Sequence, residues 1–128
     1  MNTANALMVE EVLRTPARWP NPLSQVSLPT GVADLDRSEI RHANGQRSEL
    51  SEREVQLLRY LAAHRGRAIS RDEILLYVWR LDPRRMLTRT IDMHVANLRN
   101  KLRDSASDPK VLLTVRGQGY MFAAPNGG

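Results

Sequence analysis

The sequence predicts an α+β fold: a short antiparallel sheet at the N-terminal end, three helices, and a C-terminal β-hairpin. Three observations predict it. Ser51-Glu52-Arg53-Glu54 and Ser70-Arg71-Asp72-Glu73 have the pattern of helix capping boxes, each followed by an apolar run with helical spacing. Asn44-Gly45 lies between two short strand-like runs. Near the C-terminus, Val111–Val115 and Tyr120–Ala123 flank Arg116-Gly117-Gln118-Gly119, a glycine-rich tip suited to a hairpin.

Residues 1–31 read as a leader or linker. Four of the seven prolines (Pro16, Pro20, Pro22, Pro29) fall within fourteen residues, which excludes a continuous helix or central strand there. Before them, Ala4–Arg14 suits a short helix, with Glu10 four residues ahead of Arg14. Residues 32–124 read as the folded domain and 125–128 as a disordered tail.

Two or three short strands are expected next. Val32–Asp36 alternates weakly, and Ile40–Ala43 joins Gln46–Leu50 across Asn44-Gly45, the pair favoured in a type I′ turn because both central residues need positive φ. The first capping box then opens a helix whose face is Val55, Leu57, Leu58, Leu61 and Ala62, with Gly66 suited to its end. The second box opens a short helix through Ile74, Leu75, Val78 and Trp79, surrounded by apolar residues and expected to be the most buried. Pro83 interrupts the chain within a basic loop, Arg80 to Leu87.

A third helix is expected from about Thr88 to Arg103. At about 100° per residue, Val95, Leu98 and Leu102 fall within about 40° of Ile91, which makes a narrow core stripe. The opposite side carries Arg89, Met93, Ala96, Asn97 and Asn100, with Arg99 and Lys101 on the flanks. Three helices followed by a hairpin, with strands before them, describe a winged helix-turn-helix.

Composition narrows the function. With 41% hydrophobic and 26% charged residues the chain is an ordinary globular one. No run approaches the ~18 apolar residues of a membrane span, and the N-terminal region lacks the basic end and apolar stretch of a signal peptide. The chain has no cysteine, so it has no disulfide frame and no thiolate metal site, and a reducing, cytoplasmic setting fits. The formal net charge is +5 and the pI about 10.4, a balance that favours a polyanionic partner. From Arg84 to Arg103 six basic residues stand against the single acid Asp92, which is the net charge of the whole chain.

The third helix carries the chemistry. A helix that enters the major groove needs one anchored side and one side offering donors and acceptors to base edges. Asn97 and Asn100 do both, Met93 suits a thymine methyl, and Arg89, Arg99, Lys101 and Arg103 are placed to neutralise phosphates. Arg116, beside the glycine tip, suits an adjacent minor groove. A solvated amphipathic helix is the bland alternative; the capped helix pair before it and the hairpin after it weigh against that reading. Gly-Gln-Gly as a dinucleotide loop is rejected, because no helix follows to receive a pyrophosphate.

The stretches LSEREVQLLRYLAAHRGRAISRDEILLYVW, RTIDMHVANLRNKLR and LLTVRGQGYMF resemble the C-terminal effector domain of OmpR/PhoB-type response regulators, from about Leu35 to Ala123. The resemblance implies that Met93 and Asn97 face bases and that Arg116 enters the minor groove. It also implies that Trp79, Arg89, His94, Arg99, Thr114 and Tyr120 touch the sugar-phosphate backbone. The loop Arg80-Leu81-Asp82-Pro83-Arg84-Arg85-Met86-Leu87 falls where such proteins contact RNA polymerase. Members often sit in tandem on direct repeats.

Three departures stand out. Residues 1–31 are too short for the phospho-accepting receiver that normally precedes such a domain, which leaves a fragment or a protein controlled in another way. Ala96 and Asn97 replace frequent basic residues. Arg80 stands where glycine is frequent.

The expected partner is double-stranded DNA, with no cofactor, no metal, no membrane and no small-molecule substrate. His42, His64 and His94 are scattered without metal-ligand spacing. No serine-histidine-acid or paired-carboxylate pattern points to an enzyme. Asp92 reads as a structural ion pair orienting an arginine such as Arg89 or Arg99, and Trp79 as core first. The rival function is a winged helix whose basic face and loop bind polymerase or another protein without reading DNA.

Overall fold

The computed structural model describes Val9, Glu10, Leu13, residues 23–105 and residues 107–123. Four strands come first: β1 (Gln25–Leu28), β2 (Gly31–Asp34), β3 (Glu39–His42) and β4 (Arg47–Glu49). They form an antiparallel sheet in chain order, with Val26 opposite Ala33 and Ala33 opposite Ile40. The sheet therefore has four strands where two or three were expected, and β1 lies in the stretch read as leader. Val26 is its one buried residue, and the prolines on either side obscure an alternation only four residues long. Gly31 is required by β3, since a Cβ there would stand 2.1 Å from the carbonyl oxygen of Arg41.

The β3–β4 turn corrects the type I′ expectation. Gly45 has φ +91° while Asn44 keeps a negative φ. The Gly45 amide donates to the His42 carbonyl and the His42 amide to that of Gln46, at 2.9 and 2.8 Å. This is a three-residue loop closed by a left-handed glycine. Asn44 serves by its side chain instead, its Oδ1 accepting from the Gln46 amide at 3.0 Å.

Helix α1 (Glu52–Ala63) has the full capping box: Ser51 Oγ accepts from the Glu54 amide, and Glu54 Oε1 from the Ser51 amide at 2.8 Å. Helix α2 begins as one α-turn (Arg71–Glu73) and continues as a π-helix (Ile74–Val78). The Trp79 amide reaches the Ile74 carbonyl five residues back, at 3.0 Å. Only half of the second expected box forms. Ser70 Oγ accepts from the Glu73 amide, but the Glu73 carboxylate takes the Tyr60 hydroxyl at 2.6 Å and Arg67 Nη2 at 2.9 Å instead.

After a loop at 80–88 comes α3 (Arg89–Leu102), closed by Arg103 in the left-handed region at φ +59°. Strands β5 (Leu112–Val115) and β6 (Gly119–Phe122) form the C-terminal hairpin. Ile69, between α1 and α2, pairs with Tyr120 and adds a third rung to it. A Cβ at Gly119 would lie 2.0 Å from the Ile69 carbonyl, so this close approach requires glycine.

One core joins these layers. Ile40 from the sheet, Leu57, Leu58 and Leu61 from α1, Ile74 and Leu75 from α2, Ile91 and Leu98 from α3, and Leu112 from the hairpin are all fully buried within it. The sheet, the other two helices and the hairpin thus hold α3 by one side. Among the described residues no helix is long and apolar enough to cross a membrane.

Candidate nucleic-acid interface

Helix α3 is divided lengthwise. Ile91, Val95, Leu98 and Leu102 are buried, as their spacing requires. On the other side Arg89, Met93, Ala96, Asn97 and Asn100 are exposed, Met93 to 63%. Among the described residues, the side chains of Asn97 and Asn100 make no internal hydrogen bond, so their amides keep full donor and acceptor capacity.

The hairpin is fixed beside this face. Arg99 leaves α3 to donate from Nε to the Leu112 carbonyl at 2.9 Å and from Nη2 to Thr114 Oγ1 at 2.7 Å. At the other end, the Asp104 carboxylate accepts from the amides of Lys110, Val111 and Leu112 at 2.8 to 3.1 Å, folding the intervening loop into β5. The tip turns at Gly117, φ +77°, where the Gln118 amide donates to the Val115 carbonyl. Arg116, Gly117 and Gln118 are exposed there.

Asp92 joins three elements. Its Oδ1 accepts from Arg71 Nε of α2 at 2.8 Å and from the Tyr120 hydroxyl of β6 at 2.5 Å, while Arg71 Nη2 donates to that hydroxyl at 3.3 Å. Burial pushes the Asp92 carboxyl up, but the Tyr120 hydroxyl and the Arg71 guanidinium outweigh it and hold the group below its ordinary value. The ion pair expected for Asp92 is present, with a different partner: Arg71, which faces it across the α2–α3 seam. Arg89 acts on Asp92 only through its charge. No residue pattern marked Arg71 in the sequence, since its partner is 21 positions away.

The remaining candidate residues divide between contact surface and scaffold. Tyr120 is 5% exposed, with the guanidiniums of Arg71 and Arg99 over its ring at 5.2 and 5.7 Å. Trp79 is buried, with Nε1 donating to the Arg53 carbonyl at 3.2 Å; Arg53 stacks on its ring and His94 meets it edge-on, both at 4.9 Å. Burial and the nearby Arg53 charge lower the His94 pKa and favour the neutral ring. Lys101 Nζ pairs with the buried Glu54 at 2.7 Å. Arg103 donates to Gln46 of the β3–β4 loop.

In the 80–87 loop, Arg80 adopts φ +58°, the left-handed conformation for which glycine is the usual residue. Arg84 grips Asp82 with contacts of 2.7 to 3.1 Å and holds its carboxyl at about 2. Arg85 is exposed, and Leu87 is 73% exposed. Leu81 and Met86 turn inward and pack on the core.

Comparison with known proteins agrees with this arrangement. Residues 45–122 match the family model described as transcriptional regulatory protein, C terminal. The chain is 41% identical over 90 residues to a probable transcriptional regulator, ycf27, of Galdieria sulphuraria, covering 70% of this chain and 35% of that protein. It is 39% identical over 77 residues to the alkaline phosphatase synthesis transcriptional regulatory protein PhoP of Bacillus subtilis, covering 60% and 32%. The chain thus spans about a third of the length of the curated relatives it matches. Among solved structures, the Klebsiella pneumoniae RstA DNA-binding domain in complex with RstA box superposes with TM-score 0.66 at 30% identity, over 79% of this chain and 98% of that one. The DNA-binding domain of CpxR from E. coli gives 0.60 at 34% identity, over 78% and 96%. The chain therefore belongs to the family of transcriptional regulatory protein C-terminal domains, and its fold is a winged helix-turn-helix.

Proposed function

We propose that this domain binds double-stranded DNA in a sequence-dependent way and acts in transcriptional regulation. Helix α3 enters the major groove and presents Met93, Asn97 and Asn100 to base edges. Arg116, at the hairpin tip, takes the neighbouring minor groove. Arg89, His94, Trp79, Thr114 and Tyr120 border the sugar-phosphate backbone, together with Arg99, Lys101 and Arg103, whose internal bonds fix where their charge stands. The carrying observation is the exposed side of α3, where two asparagines and a methionine stand free of internal partners beside a hairpin bolted to the same helix by Arg99. The bound state of the RstA relative supports the same reading.

The exposed Leu87 and Arg85 of the 80–87 loop support a second contact, with RNA polymerase. Tandem binding on direct repeats and a cytoplasmic setting complete the proposal. Selection from a random double-stranded DNA pool at two salt concentrations tests it. An enriched motif of one or two short half-sites is the expected result, and the half-site spacing reads the tandem arrangement. Binding that enriches nothing and disappears with salt overturns specific readout.

A further inference from the structure

Among the described residues, two aliphatic ones are buried without belonging to the central core. Leu76 is 2% exposed and Val9 is fully buried, yet neither joins the contiguous cluster that holds Ile74, Leu75 and Val78. The position of Leu76 makes this informative. Helix α2 turns Ile74, Leu75 and Val78 to the core, so Leu76 and Tyr77 fall on its outer face, and Tyr77 is 38% exposed there. A leucine on an outer face is buried only if another part of the chain lies over it.

Val9, Glu10 and Leu13 are helical, with Val9 buried, Leu13 half-buried and Glu10 exposed. Positions i and i+4 face one way and the residue between them faces solvent, which is the pattern of a helix docked along one stripe. Charge gives the direction of docking. The Arg84 guanidinium is held protonated first by its bond to Asp82, and the Glu10 carboxylate adds to that hold through space. Glu10 and Arg84 thus act on each other through space, and Arg84 belongs to the 80–87 loop, which follows directly from α2.

We infer that the helical segment carrying Val9, Glu10 and Leu13 is an intramolecular cover, docked through Val9 and Leu13 on Leu76 at the outer face of α2, with Glu10 toward Arg84. These residues cover Leu76 and leave Tyr77 and the exposed side chains of the 80–87 loop open. That loop is the proposed polymerase contact, so a partner that reaches from the loop onto Leu76 must displace the cover, and this regulatory consequence rests on that reading. The docking itself does not. None of Val9, Glu10, Leu13 and Leu76 is among the residues proposed to touch DNA.

Methyl NOE spectroscopy on the intact chain, labelled at valine and leucine methyls, tests the docking directly. Cross-peaks between Val9 and Leu76 methyls are expected. In Val9→Asp, which leaves the core and α3 untouched, Leu76 should lose its dispersed shift and hydrogen exchange across residues 76–87 should rise by about tenfold or more. Binding to the selected DNA should remain within about twofold, since surface changes away from a contact rarely matter more. A Val9 with random-coil shifts and no cross-peak to Leu76 overturns the inference. So does an unchanged Leu76 in Val9→Asp, which would mean that the loop alone buries it. Docking confirmed while polymerase ignores both chains would overturn only the loop's proposed role.

Discussion

The side chains of Asn97 and Arg116 make no hydrogen bond or ion pair among the described residues, so removing either one tests a contact rather than the fold. Asn97→Ala is expected to cost about 1–3 kcal/mol of specific binding and to relax preference at one base position. Selection with the variant reads both, and an unchanged motif would remove Asn97 from the base-reading set. Arg116→Ala should weaken binding to specific DNA, measured by titration against the selected site; wild-type affinity would take the hairpin tip out of the minor groove. Arg99 differs from them because its guanidinium is already spent on Leu112 and Thr114. Its sequence position suggests a phosphate contact, while its geometry makes it the bolt between helix and hairpin. Arg99→Ala is therefore expected to weaken binding to all sequences alike and to raise amide exchange across Leu112–Val115. Exchange that stayed at the wild-type level would leave Arg99 as a plain phosphate contact.

Helix α3 depends on one stripe of four residues, of which Leu98 is fully buried. Leu98→Ala should cost ~2–5 kcal/mol of stability, the range for truncating a buried leucine, and should abolish binding by unfolding the domain. Denaturant titration checks it; a stable protein that fails to bind DNA would mean the helix presents the opposite face. This stripe was legible in the sequence because a helix against a core leaves a 3.6-residue period, and Ile91, Val95, Leu98 and Leu102 keep it without interruption. The first capping box was legible for a similar reason, since both of its bonds join residues three apart. What the sequence hid were bonds between distant residues. Glu73 looks like the closing member of a second box, but Tyr60, 13 positions earlier, places a hydroxyl within reach and the carboxylate goes there. Asp92 was read as an ion pair with the wrong arginine, because Arg89 and Arg99 are near in sequence and Arg71 is near only in the folded chain. The π-turn of α2 and the strand β1 left no pattern, being a backbone adjustment in one case and four residues beside prolines in the other.

Glu54, Glu73 and Asp92 are carboxylates at seams between elements whose pKa is lowered, and acid should open all three. Glu54 ties the start of α1 to α3 through Lys101, Glu73 ties α2 to α1 through Tyr60, and Asp92 ties α3 to α2 and β6. For each, burial acts to raise the pKa, and the hydrogen bonds and nearby cations that accept its charge prevail and lower it. A carboxylate lowered in the folded state binds protons less readily there than in the unfolded chain, where it titrates near about 4. Its contribution is present above that value and is lost as pH falls through the lower folded one. His42 and His94 are lowered too, both by burial first and then by an arginine, Arg103 and Arg53 respectively. Their contribution therefore begins to fade earlier, as pH drops below the ordinary histidine value of about 6.5. The melting temperature is expected to decline gently from about pH 6.5 and steeply below about pH 4. Asp92→Asn should be less stable than the wild type at pH 7, because Arg71 loses a charged acceptor, and the gap should narrow toward pH 3 as the wild-type carboxylate protonates. Melting curves of the two chains across that interval measure the gap, and one that stays constant from pH 7 to pH 3 would show that the Arg71–Asp92–Tyr120 junction contributes nothing through its charge.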